Sequence, residues 1–95
     1  MTLIDKFTTT ATALLPYLGG AMNITSVVHC ITRLRFTVLD RSVVDEAALL
    51  THPAVLGLVD GRTVQVIVGP YAAAPLATAF ARLLDQHDPP VQSGQ

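Results

Sequence analysis

Between Arg33 and Asp40 apolar and polar side chains alternate, with Leu34, Phe36 and Val38 on one side and Arg33, Arg35 and Thr37 on the other. A period of two describes a strand with one dry face and one wet face. Such a strand belongs to an antiparallel sheet, because the strands of parallel sheets are buried on both faces and read as continuous apolar runs. The chain must therefore cover one face of a sheet and leave two guanidinium groups on the other.

The rest of the chain supplies the cover. Leu3, Phe7, Ala11, Leu14 and Leu18 recur in steps of three or four, which predicts a helix over Thr2–Leu18 that Pro16 kinks or splits and Gly19-Gly20 ends. Ile24–His29 reads as a strand, and Cys30–Thr32 is too short for a crossover, so it joins that strand to the next as a hairpin or similar turn. Ser42–Asp45 resembles a capping box ahead of a short helix over Glu46–Leu50, which His52-Pro53 ends. Val55–Val59 and Arg62–Val68 flank Asp60-Gly61, a two-residue hairpin signal. Ala72–Gln86 carries Leu76, Phe80, Leu83 and Leu84 at helical spacing, with Pro75 tolerable only in the first turn. The order is α-β-β-α-β-β-α. It predicts an α+β fold, a four-stranded antiparallel sheet with helices packed on one face. Ninety-five residues suffice for one core, expected over residues 1–87, with a polar tail at 88–95.

Composition narrows the function. A net charge of −1 argues against a nucleic-acid binder. The single cysteine, Cys30, excludes an internal disulfide and a Cys-x-x-Cys redox pair, which suits a reducing, cytoplasmic setting. The start, Met1–Lys6, lacks the basic-then-apolar order of a secretory signal. His52 and His87 lack the paired spacing of metal ligands, so no metal site is expected, and no cofactor.

The chemistry concentrates in His29-Cys30-Ile31-Thr32-Arg33-Leu34-Arg35. A thiol attacks as thiolate, and neighbouring positive charge favours that form. A lone cysteine is commonly a buried small hydrophobe. Burial beside Arg33 and Arg35 would strand two charges without acidic partners, so an exposed thiol at a sheet corner is the cheaper arrangement. Two arginines form a fork for phosphate oxygens. The Thr32 hydroxyl and nearby amides can cradle the same group, and Gln65, alternating with Val64 and Val66, places an amide on the open sheet face. Strand alternation directs His29 away from Cys30, so it stays outside the catalytic set. A tyrosine-phosphatase loop needs five residues between cysteine and arginine; that position holds Phe36, and Arg35 comes one residue early.

Gly19-Gly20, Asn23-Ile24, Cys30-Ile-Thr-Arg-Leu-Arg35, Asp40 and Gln65-Val-Ile-Val-Gly69 together resemble the enzyme IIB domain of the glucose family of the bacterial sugar phosphotransferase system, over about Leu14 to Leu84. The resemblance implies a phosphoryl carrier. Phosphohistidine on a IIA partner would phosphorylate Cys30, and Cys30 would pass the group to a sugar held by a membrane-embedded IIC partner. Thr32, Arg33, Arg35 and Gln65 would bind the phosphate, at the inner face of the cell membrane. Where the family commonly has Lys-Glu after the double glycine, this chain has Ala21-Met22, a difference that bears on partner choice. Without membrane segments, the chain reads as a free-standing subunit or an excised domain. Two other readings compete: a regulatory module that senses a partner's phosphorylation without passing phosphate on, and a small-molecule-binding domain with an incidental thiol.

Overall fold

The computed structural model describes residues 5–59 and 61–87. Helix α1 (Lys6–Leu14) begins at Asp5, whose Oδ1 accepts a hydrogen bond from the Thr8 amide at 2.8 Å and so satisfies one of the donors that a helix start leaves open. Pro16 acts where expected. The α-helix gives way to a 3-10 turn over Leu15–Leu18 rather than continuing bent. Gly19, at φ +97°, closes it: the Gly19 amide donates to the Pro16 carbonyl and the Gly20 amide to the Leu15 carbonyl. That pair of bonds is the Schellman ending that a left-handed glycine permits.

After a short 3-10 turn at Ala21–Asn23 come strands β1 (Ile24–His29) and β2 (Arg33–Val38), antiparallel with His29 opposite Leu34. A 3-10 turn at Arg41–Val43 precedes helix α2 (Glu46–Thr51), then come strands β3 (Gly57–Val59) and β4 (Val64–Ile67) and helix α3 (Ala73–His87). The sheet order is β1-β2-β4-β3, antiparallel throughout. The expected α+β class, order and sheet are present.

Leu34 and Phe36 of β2 lie opposite Val66 and Val64 of β4, and all four are buried against the helices. Ala11 and Leu14 of α1 join that core with Leu76 and Phe80 of α3. Phe36 and Phe80 meet edge to face at 4.9 Å between centroids, a favourable aromatic geometry. The opposite sheet face carries Arg33, Arg35, Thr37 and Gln65, exposed or half-buried.

Three local expectations need correction. The cap of α2 is Asp45, whose Oδ1 accepts from the Ala48 amide, while Ser42 donates its amide and hydroxyl to Asp40 Oδ1. Ser42 thus belongs to the preceding 3-10 turn, because Asp45 already stands three residues ahead of the amide that needs an acceptor. The β3–β4 hairpin is wider than two residues: Val59 lies opposite Gln65, so the strands do not close on Asp60-Gly61. Strand β4 stops at Ile67 because the amides of Val68 and Gly69 leave the ladder for another acceptor. Asp60, the expected start of the first helix before Asp5, and the expected tail at 88–95 lie outside the described residues.

Candidate functional site

Cys30 stands at the tip of the β1–β2 hairpin. Its amide donates to the Arg33 carbonyl at 2.9 Å, which leaves Ile31 and Thr32 as the two turn residues. Neither has a positive φ, unlike the turns whose twist best suits a two-residue hairpin. An external hold compensates. The Thr32 carbonyl accepts two hydrogen bonds at 2.9 Å, from the consecutive amides of Val68 and Gly69. Two successive amides converge on one oxygen where the second residue takes a left-handed conformation, and Gly69 has φ +91°. A turn that local sequence would leave loose is thus clamped to the end of β4.

The thiol is exposed. With His29, Ile31, Pro70 and Ala74, Cys30 lines an open depression of about 460 Å³ between the hairpin tip and the start of α3. His29, opposite the buried Leu34 in the ladder, lines the depression at the end of β1. Ile31 is 81% exposed beside the thiol, and Tyr71 and Leu56 are also largely exposed.

The arginines lie on the uncovered face, as alternation requires. Arg35 is exposed, opposite Gln65 in the ladder. Arg33 is half-buried, and its Nη1 donates to Gln65 Oε1 at 3.2 Å. Among the described residues the one salt bridge is Arg41–Glu46 at 2.8 Å, so Arg33 and Arg35 keep their charge unneutralised. Arg33, Arg35 and Gln65 thus share the open face, while Cys30 and Thr32 stand in the hairpin turn at the Arg33 end of β2. No group of three or more His, Cys, Asp or Glu side chains that could hold a metal occurs among the described residues. Sequence reasoning missed Pro70 and Ala74 and the clamp made by the Val68 and Gly69 amides, although Gln65-Val-Ile-Val-Gly69 is among the strings that carry the resemblance and Gly69-Pro70 marks a break after an apolar strand.

The family model described as "phosphotransferase system, EIIB" matches residues 12–45, a span that includes the hairpin and its cysteine. The chain belongs to the EIIB family of the phosphotransferase system. This EIIB chain is 49% identical over 69 residues, 70% of its length, to the PTS system glucose-specific EIIBCA component of Corynebacterium glutamicum, of which it spans 10%. It is 38% identical over 78 residues, 82% of its length, to the putative PTS system EIIBC component YbbF of Bacillus subtilis, spanning 17% of that protein. The fold matches the crystal structure of one domain of a PTS system IIabc component from Clostridium difficile, with a TM-score of 0.67 over 99% of this chain and 100% of that one at 22% identity. Among the described residues, no helix of this EIIB chain is long and apolar enough to cross a membrane.

Proposed function

We propose that this EIIB chain is a phosphoryl carrier of sugar uptake, with Cys30 as the group that is phosphorylated. Its sulfur attacks the phosphorus of a phosphohistidine on a IIA partner; the S–P bond forms as the N–P bond breaks, and the imidazole leaves with the electron pair. A sugar hydroxyl bound by a IIC partner then attacks the same phosphorus, the S–P bond breaks, and the hydroxyl proton passes to solvent or a base of that partner. Both steps are in-line displacements, in which a protein contributes position and charge rather than new covalent chemistry.

The observation that carries the reading is the exposed Cys30 at a clamped hairpin tip, with Arg33 and Arg35 lacking carboxylate partners on the adjoining open face. Two proteins must reach one sulfur in turn, and an exposed corner allows that where an enclosed pocket would not. Thr32, Arg33, Arg35 and Gln65 form the phosphate-binding set. The charge of Arg33 and Arg35 and the hydrogen bonds of Thr32 stabilise the equatorial oxygens, with Gln65 hydrogen-bonded to Arg33. The work takes place on the cytoplasmic side, where the carrier meets IIC at the membrane.

The test is transfer of label. Incubation with a phosphorylated IIA protein of the glucose family should add one phosphoryl group, located on Cys30 by mass spectrometry, and Cys30→Ser should abolish it with an unchanged fold. A label that survives Cys30→Ser refutes the reading. Label on Cys30 that never reaches sugar in membranes containing the matching IIC would instead favour a phosphorylation-sensing module.

A further inference from the structure

The Arg33–Gln65 hydrogen bond carries a step beyond membership in the phosphate-binding set. Gln65 has one acceptor oxygen and one donor nitrogen. The oxygen is occupied by Arg33 Nη1 at 3.2 Å. The nitrogen points elsewhere: a Cβ placed on Gly61 would lie 4.0 Å from Gln65 Nε2, so the donor end faces the segment that precedes β4. Both side chains are half-buried, and the two residues are diagonal neighbours, since Arg33 lies opposite Ile67 and Gln65 opposite Arg35.

We infer that Gln65 is a positioning residue, holding the Arg33 guanidinium over the open face and acting on phosphate through it rather than by direct contact. The inference rests on the phosphocarrier reading of Cys30. An unheld arginine side chain must lose its rotamer freedom when an anion arrives. A partner already in place removes part of that cost. The chemistry of the partner matters too. A carboxylate at position 65 would hold Arg33 as firmly, but it would neutralise the guanidinium and repel phosphoryl oxygens. An amide oxygen holds without cancelling charge. Arg35, directly opposite Gln65, has no hydrogen-bond or ionic partner among the described residues, so one arginine is held and the other is free to follow the phosphoryl group.

The experiment is a titration of ¹⁵N-labelled protein with inorganic phosphate, following the Cys30 amide and the Arg33 Nε–H signals in wild type, Gln65→Met, Arg33→Met and the double variant. Gln65→Met should weaken phosphate binding roughly three- to tenfold, the span of one modest hydrogen bond's worth of ordering, and the double variant should match Arg33→Met alone. Before phosphate is added, Arg33 side-chain signals should show hindered rotation in wild type that Gln65→Met abolishes. Factors that multiply in the double variant would mean Gln65 touches phosphate itself and would overturn the inference. So would Gln65→Met binding as wild type does, or wild-type signals that ignore phosphate. Should Gln65→Met fold poorly, Gln65→Glu decides: its affinity relative to wild type should fall at neutral pH and recover as the carboxylate protonates, and a flat profile refutes the idea. Failure of the carrier reading shows separately, as protein never labelled on sulfur whose Arg33 signals still respond to Gln65→Met.

Discussion

Asn23 is the only buried polar or charged residue among those described, 6% exposed, and replacing it should cost more than any other single polar substitution in the domain. Its Nδ2 donates to the Leu18 carbonyl at 2.8 Å and to the Asp40 carbonyl at 3.1 Å, while its Oδ1 accepts from the Asp40 amide at 2.9 Å. One side chain thus joins the end of the first helical segment, the start of β1 and the end of β2. In Asn23→Ala the buried Leu18 carbonyl loses its partner at about 2 kcal/mol, and the two partly buried Asp40 groups, reachable by water, lose about 0.5–1 kcal/mol each. The sum is roughly 3–4 kcal/mol, against about 5–14 kcal/mol for a domain of this size. Urea denaturation should show that loss as a lower midpoint at unchanged slope, since the surface exposed on unfolding scarcely changes. A loss below about 1 kcal/mol would refute the reasoning, because it would mean the three groups find equivalent partners without the amide.

Asn23→Asp sharpens the test through its sign. Its Oδ1 can still accept from Asp40, but the second carboxylate oxygen would face two carbonyls, which raises the folded-state pKa above the unfolded value near 3.9. A group whose pKa is raised on folding contributes fully below its unfolded pKa and loses that contribution as pH rises through the folded pKa. Asn23→Asp should therefore lie closest to wild type in acid and be most destabilised at neutral pH.

Two further outcomes follow from the same end of the molecule. Gly19→Ala would place a Cβ 2.6 Å from Asn23 Nδ2 and 2.8 Å from Val43 Cγ2 at φ +97°, so it should destabilise by more than the ~1–2 kcal/mol of left-handed strain alone, and less than additively with Asn23→Ala, as measured by thermal melts of the singles and the double. Hydrogen bonds from the Thr8 amide to Asp5, and from the Ser42 hydroxyl and amide to Asp40, hold both carboxyls below the ordinary range. Their contribution is present above the unfolded pKa near 3.9 and is lost as pH falls through the lower folded values, so Asp5→Asn and Asp40→Asn should each flatten the acid limb of the stability–pH curve.

Much of this was legible along the chain because it depends on local sterics. Alternation in β2 sorted its side chains correctly, since successive Cβ atoms must point to opposite faces. Pro16 and Gly19-Gly20 ended the first helical segment for reasons of φ and missing amide hydrogens. The short helix was found but its cap was misassigned, because Ser42 and Asp45 are both competent caps and only the backbone path chooses between them. The hairpin after β3 was found with the wrong width, because a favourable dipeptide states a preference, whereas the register of β3 on β4 is decided by side chains that pair across the ladder.

By itself, the sequence determined the element order, the inward and outward faces of β2, and the presence of one thiol among arginines with no nearby acid. Tertiary structure alone decided that β4 lies beside β2. That adjacency sets Gln65 opposite Arg35 and within reach of Arg33, lets the amides of Val68 and Gly69 clamp the Thr32 carbonyl, and brings Pro70 and Ala74 to the side of Cys30. The physical reason is that pairing between strands is non-local: any one segment specifies its own period, but which segment becomes its neighbour, and in what register, is chosen by the packing of the whole core.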